Sequence, residues 1–210
     1  NETGVGRYIR ALFRHLPQAD PDSTYVWFFQ KQEYSKIDLP LPHWEKRLLD
    51  VHWHTMKEQF IAPPVFLSES LDLLHVPYVN FPVFYPKKSV VTIHDLIVDH
   101  YKTGRFSTLP FWLYPLKKVG YHFVVWSATR LASRVLTLSN DAKNEIVAHY
   151  NINPEKIIPI HEAGTLEDKQ TNFNSPQFSQ IRKLQPYILY VGNAHPHKNV
   201  ETLVLSMKHL

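Results

Sequence analysis

The chain has 210 residues, 44% hydrophobic and 13% aromatic, which is enough apolar material for a packed core and argues against disorder. Its 23 Lys and Arg exceed its 19 Asp and Glu by four charges. Without a long basic run, that excess excludes a nucleic-acid partner but suits anionic small molecules or an anionic membrane surface. Cysteine is absent, so a disulfide framework and a thiolate metal site are excluded and a reducing compartment fits; no apolar run reaches membrane-spanning length.

In chain order, Gly4-Val5-Gly6 comes first, followed by a helical pattern with Ile9, Leu12, Phe13 and Leu16 on one face, expected to stop at Pro17. A glycine loop that opens a helix normally follows a strand. None fits before Gly4, so a first strand is expected to be missing. Thr24 to Gln30 reads as a strand and Tyr34 to Pro42 as a loop. Helical character returns from Lys57 to Leu67, with a break expected at Pro63-Pro64. Asp72 to Val76 is a short buried strand, followed by a loop punctuated by Pro77, Pro82 and Pro86.

Ser89 to Ile93 is a clear strand with His94-Asp95-Leu96 at its C-terminal end. An aromatic helical region runs from Ser107 to Leu131. Its aromatic residues between Phe106 and Trp126 suit packing on a sheet better than a membrane-facing helix. Arg134 to Leu138 is a strand, Ser139 is placed to cap a helix over Asp141 to Tyr150, and Ile157 to Ile160 is a further strand. Alternation of helices with short, continuously apolar strands indicates an α/β fold, a Rossmann-like parallel sheet with helices on both faces. Three segments are expected: residues 1–163 as a first domain, 164–186 as a linker, and 187–210 as a new unit with strand Tyr187 to Val191, loop Gly192 to His197 and a helix from Lys198.

Three places suit chemistry. Gly4, Val5, Gly6 and Arg7 open a helix whose N–H groups can face an anion, although an ordinary loop-to-helix turn reads the same way. His94 and Asp95 follow a strand, where ligands of open α/β sheets bind; the plainer reading is a histidine closing the strand and an aspartate beginning a turn. Gly192, Asn193, Lys198 and Asn199 again join a strand to a helix, and a lysine there concentrates positive charge, unless it is simply solvated. The pairs His52/His54, on one face of a strand, and His195/His197 lack a clear third ligand, so no metal site is expected.

Together these motifs resemble retaining glycosyltransferases of family four, which have the two-domain GT-B fold. The resemblance runs through Gly4-Val5-Gly6-Arg7-Tyr8, Val90 to Leu96, Ser133 to Ser139, Pro154-Glu155-Lys156-Ile157, Tyr187 to Gly192 and Lys198-Asn199. It implies the N-terminal half of such a fold plus the start of its donor-binding domain. It also implies a nucleotide diphosphate sugar as donor substrate, no separate cofactor or metal, and a glycan or lipid-linked acceptor. Gly4 to Gly6 would approach the phosphates, His94 would lie beside the transferred sugar, and Lys198 would neutralise the leaving diphosphate. Tyr78 and Asn80 would belong to the acceptor loop.

The sequence departs from the family pattern in three ways. Asn193 stands where an arginine is common, His161-Glu162-Ala163-Gly164 replaces a short Asn-Gly turn, and the second domain's paired glutamates are absent. The expectation is a hexosyltransferase fragment, inactive by itself and cytoplasmic. Peripheral contact with the inner face of a membrane and self-association through residues 187–210 are further expectations. The alternatives are a non-catalytic binding or assembly module of the same shape, and a sugar-nucleotide epimerase.

Overall fold

The structure is a computed structural model, and it describes residues 4–97, 114–162, 180, 183, 186–192, 194 and 198–209. The chain divides into two compact units, Asn1–Ala163 and Gly164–Leu210.

The first unit is Rossmann-like, with strands that are all parallel. They form two sheets rather than the single one expected. β1 (Val26–Phe29) pairs with β2 (Glu45–Leu48), and β3 (Leu74–Val76), β4 (Ser89–Thr92), β5 (Arg134–Thr137) and β6 (Ile157–Pro159) form a second sheet in that order. No described strand bonds β1 to β3, so the two ladders do not merge. β4 is paired on both sides, and its ladder continues past its end through the Ile93 N–H, which donates to Leu136 O at 2.9 Å. Val91, Ile93 and Val135 are completely buried, as the unbroken apolar runs required.

β2 has no apolar alternation to announce it in the sequence. Its charges are held locally: Lys46 donates to Tyr34 O at 3.0 Å and Ile37 O at 3.1 Å, and Arg47 pairs with Glu69 at 2.7 Å and with Glu45. Charged side chains of this kind suit a strand with one unpaired edge.

α1 (Gly4–Ala19) does not stop at Pro17, and α3 (Met56–Ser68) does not break at Pro63-Pro64. Proline in a helix interior forfeits a hydrogen bond and crowds the carbonyl four residues earlier. In α3 the packing of Ala62, Pro63 and Phe66 against the core offsets that cost. In α1, Phe13 meets Trp27 at 4.9 Å and Trp44 at 6.0 Å between ring centres, which fixes the helix on the two-stranded sheet.

α2 (Lys31–Tyr34) is a single turn. α4 (Tyr114–Leu131) buries Val125 and Ala128 in the core beside the four-stranded sheet, with Ala132 just past its end, while Phe123 and Trp126 remain exposed. Packing on the sheet is thus correct for one face of α4 only, and its expected start at Ser107 lies outside the described residues. Ser139 caps α5 (Asn140–Tyr150) by accepting from the Ala142 N–H at 3.1 Å, as expected.

In the second unit, the expected strand Tyr187 to Val191 does not form; these five residues are irregular and exposed. A strand needs a hydrogen-bonding neighbour, and none pairs with them among the described residues. α6 (Val200–Ser206) starts two residues later than expected.

Truncating Ile93 to Ala is expected to cost about 2–5 kcal/mol, because a sealed cavity replaces the side chain. Ser139→Ala should cost only about 1 kcal/mol. Urea unfolding of both variants checks that ranking.

Candidate active site

β4 ends beneath α1, and its C-terminal edge collects the polar groups of the first unit. Tyr8, buried on α1, shares a hydrogen bond of 3.2 Å with the Thr92 hydroxyl. His75 Nε2 lies 3.0 Å from the same hydroxyl oxygen. One hydroxyl therefore ties α1, β3 and β4 together. Burial pushes the Tyr8 phenol above its ordinary value and holds the His75 imidazole below its own.

His94 follows two residues later, with its side chain 8% exposed. Its Nε2 lies 3.1 Å from the Pro77 carbonyl, which can only accept, so Nε2 carries the proton and donates. Nδ1 faces Glu162, whose Oε1 is 3.9 Å away, and the two form an ion pair when the ring is protonated. The rings of Tyr8, at 5.1 Å and 86°, and Tyr78, at 5.9 Å and 55°, flank the imidazole. Asp95 is exposed and accepts from the Ile97 N–H at 3.0 Å, so its carboxylate shapes a turn, while its charge helps burial raise the Tyr78 phenol.

The loop from Pro77 to Tyr85 is pinned by the first turn of α3. Glu58, almost fully buried, accepts from Asn80 Nδ2 at 2.6 Å and from the His54 N–H at 2.8 Å. Burial raises its carboxyl above the usual range, and these two hydrogen bonds oppose that rise. Gln59 donates to Phe81 O at 3.0 Å and accepts from the Val83 N–H at 2.8 Å. The sequence-predicted pair Tyr78 and Asn80 is thus brought to His94, Tyr78 by direct ring contact and Asn80 through the shared loop. His52 and His54 do not lie on a strand: His54 sits in the left-handed region at φ 58° with its ring against Tyr78, and His52 Nδ1 lies 3.0 Å from Trp53 O. Among the described residues, no group of three or more His, Asp or Glu side chains gathers where it could hold a metal.

Gly4 to Arg7 form the first turn of α1 rather than a loop before it. That turn carries no acidic residue, and a side chain at Gly4 would meet nothing within 4 Å. In the second unit, Gly192 has φ 154°, a backbone conformation that other residues rarely adopt, so glycine suits this position. Lys198 is exposed, and Asn199, at φ 50°, precedes α6 and accepts from the Thr202 hydroxyl at 2.7 Å. Asn193, His195 and His197 lie outside the described residues.

Sequence reading missed Tyr8, His75, Glu58 and Glu162 as site residues. Glu162 had a signal, since it sits where the resemblance fails. The others meet their partners only through the fold.

His75 takes up a proton near pH 6.5 when unfolded but only at lower pH when folded. Its contribution to stability is therefore present above that value and lost as pH falls below it. The urea midpoint should fall further between about pH 7 and about pH 5 in the parent chain than in His75→Leu. Equal falls would contradict the buried, neutral imidazole.

Comparison with known proteins bears directly on this arrangement. Glycosyltransferase Family 4 matches residues 3–163. The O-antigen chain mannosyltransferase RfbU of Salmonella typhimurium (strain LT2) is 27% identical over 216 residues, a match covering 98% of this chain and 55% of that protein. The chain thus spans about half the length of that relative. With the family matched across the whole parallel-sheet unit that carries His94, the chain belongs to glycosyltransferase family 4.

Proposed function

We propose that these residues form the acceptor-side half of a glycosyltransferase that moves a hexose, with retention, from a nucleotide diphosphate sugar to a glycan or lipid-linked acceptor. The observation that carries this reading is the position of His94, at the carboxyl end of the doubly paired strand β4 and between the rings of Tyr8 and Tyr78. The likeness to a mannosyltransferase supports mannose as the hexose.

The chemistry suits the groups present. Breaking the anomeric bond builds negative charge on the departing diphosphate and positive character on the sugar. The first turn of α1 carries no acidic residue to repel the former. Glu162 and the tyrosine ring faces suit the latter. Pro77 O fixes the imidazole of His94 edge-on, so its part is to shape and polarise the sugar subsite rather than to shuttle a proton through Nε2. Lys198, exposed in the second unit, has the diphosphate-neutralising role that the family resemblance implies. Asp95 is assigned to the turn that presents His94.

A transfer assay with a nucleotide diphosphate mannose and a glycan acceptor tests the proposal. The 210 residues alone should give no turnover. In protein that also carries the donor-binding half, His94→Ala and Lys198→Ala should each lower turnover at least about a hundredfold. Near-normal rates in both variants would overturn the assignment. Product formed without any acceptor would point to an epimerase, and nucleotide-sugar binding with no product under any condition to a binding module.

A further inference from the structure

α3 carries apolar residues on both of its faces. Inward, Ala62, Pro63 and Phe66 are buried. Outward, Met56 is 71%, Phe60 61% and Ile61 45% exposed, and the Phe60 ring stacks on Phe84 at 5.4 Å and 24°, itself 57% exposed. A helix with apolar residues on both faces has more apolar surface than one layer covers, and here the core covers only the inward face.

The exposed charges nearest in sequence to Phe60 and Phe84 are lysines. Lys57 on the helix, with Lys87 and Lys88 at the end of the loop that carries Phe84, are exposed and make no ion pair among the described residues. The acids of the helix and its end point elsewhere: Glu58 turns inward to Asn80 and His54, and Glu69 is held by Arg47. Asp72, beyond the helix, pairs with none of the three lysines. The patch is rigid as well as apolar, because Gln59 ties the Phe84 loop to the helix through Phe81 and Val83.

We propose that the outward face of α3, with Phe84 and its three lysines, docks on an anionic phospholipid bilayer. Exposed aromatic rings inserted at headgroup depth beside cations that meet acidic lipids give this face its two sources of affinity. No helix among the described residues is long and apolar enough to cross a membrane, so the contact is one of surface insertion. This places the membrane contact on α3 and not on the aromatic helix α4, which sequence reading assigned to sheet packing. It also brings the bilayer beside the loop that holds Tyr78 and Asn80.

The test is flotation of the 210-residue chain with vesicles of phosphatidylcholine, alone or mixed with phosphatidylglycerol. The chain should float with the mixed vesicles and be released by salt. Phe60→Ser with Phe84→Ser should weaken partitioning at least about tenfold, and Lys57→Glu with Lys87→Glu and Lys88→Glu should abolish the preference for anionic lipid. Both rings are exposed, so circular dichroism and urea midpoints should match the parent. Phe123→Ser with Trp126→Ser on α4 should bind as the parent does. The proposal is overturned if the parent binds neither vesicle, or if Phe60→Ser with Phe84→Ser floats unchanged. Sedimentation equilibrium showing a parent dimer that the same pair dissociates would assign the face to a second copy instead and equally overturn it.

Discussion

The hydroxyl of Thr92 is the point on which the site depends. It is buried at the end of β4 and takes Tyr8 from α1, at 3.2 Å, and His75 from β3, at 3.0 Å. A buried hydroxyl left without partners is costly, so these three residues set each other's position. Tyr8 in turn sets one wall of the His94 pocket. Further along α1, Phe13 locks into Trp27 on β1 and Trp44 just before β2. One helix thus serves both sheets, and the group facing the candidate site is also one that holds the unit together.

A second support comes from the opposite direction. The first turn of α3 holds the Pro77–Tyr85 loop through two adjacent side chains, Glu58 and Gln59, with three hydrogen bonds to it. That loop supplies Pro77 O, which orients the imidazole of His94, and Tyr78, which flanks it. His94 is therefore held by its surroundings rather than by its own segment. Preorganisation of this sort is what charge stabilisation in a transfer reaction needs. The same α3 presents its other face, through Phe60 and Phe84, as the membrane-docking surface proposed above.

The parts of the fold legible in the sequence were those encoded locally. Unbroken apolar runs gave β4 and β5, Ser139 gave the start of α5, and strand-end position singled out His94. Local rules failed where packing overrode them. Pro17, Pro63 and Pro64 lie inside helices because the surrounding contacts outweigh the lost hydrogen bonds. Glu45 to Leu48 is a strand despite three charges, because Arg47 and Lys46 find partners along its edge. Tyr187 to Val191 has strand composition and, among the described residues, no strand to pair with. Tyr8 and Glu58 could not be read as site residues, since Tyr8 meets Thr92 across 84 positions and Glu58 meets Asn80 across 22.

The central claim is that the C-terminal edge of β4 receives the sugar. Chemical-shift mapping of the isotope-labelled chain, titrated with an acceptor glycan, tests it most directly. The account predicts saturable shifts at Tyr8, His94 and Tyr78, with none at Ile146 or Ile157 in the core. Shifts confined to residues away from these three, or no saturable shift at millimolar glycan, would contradict it.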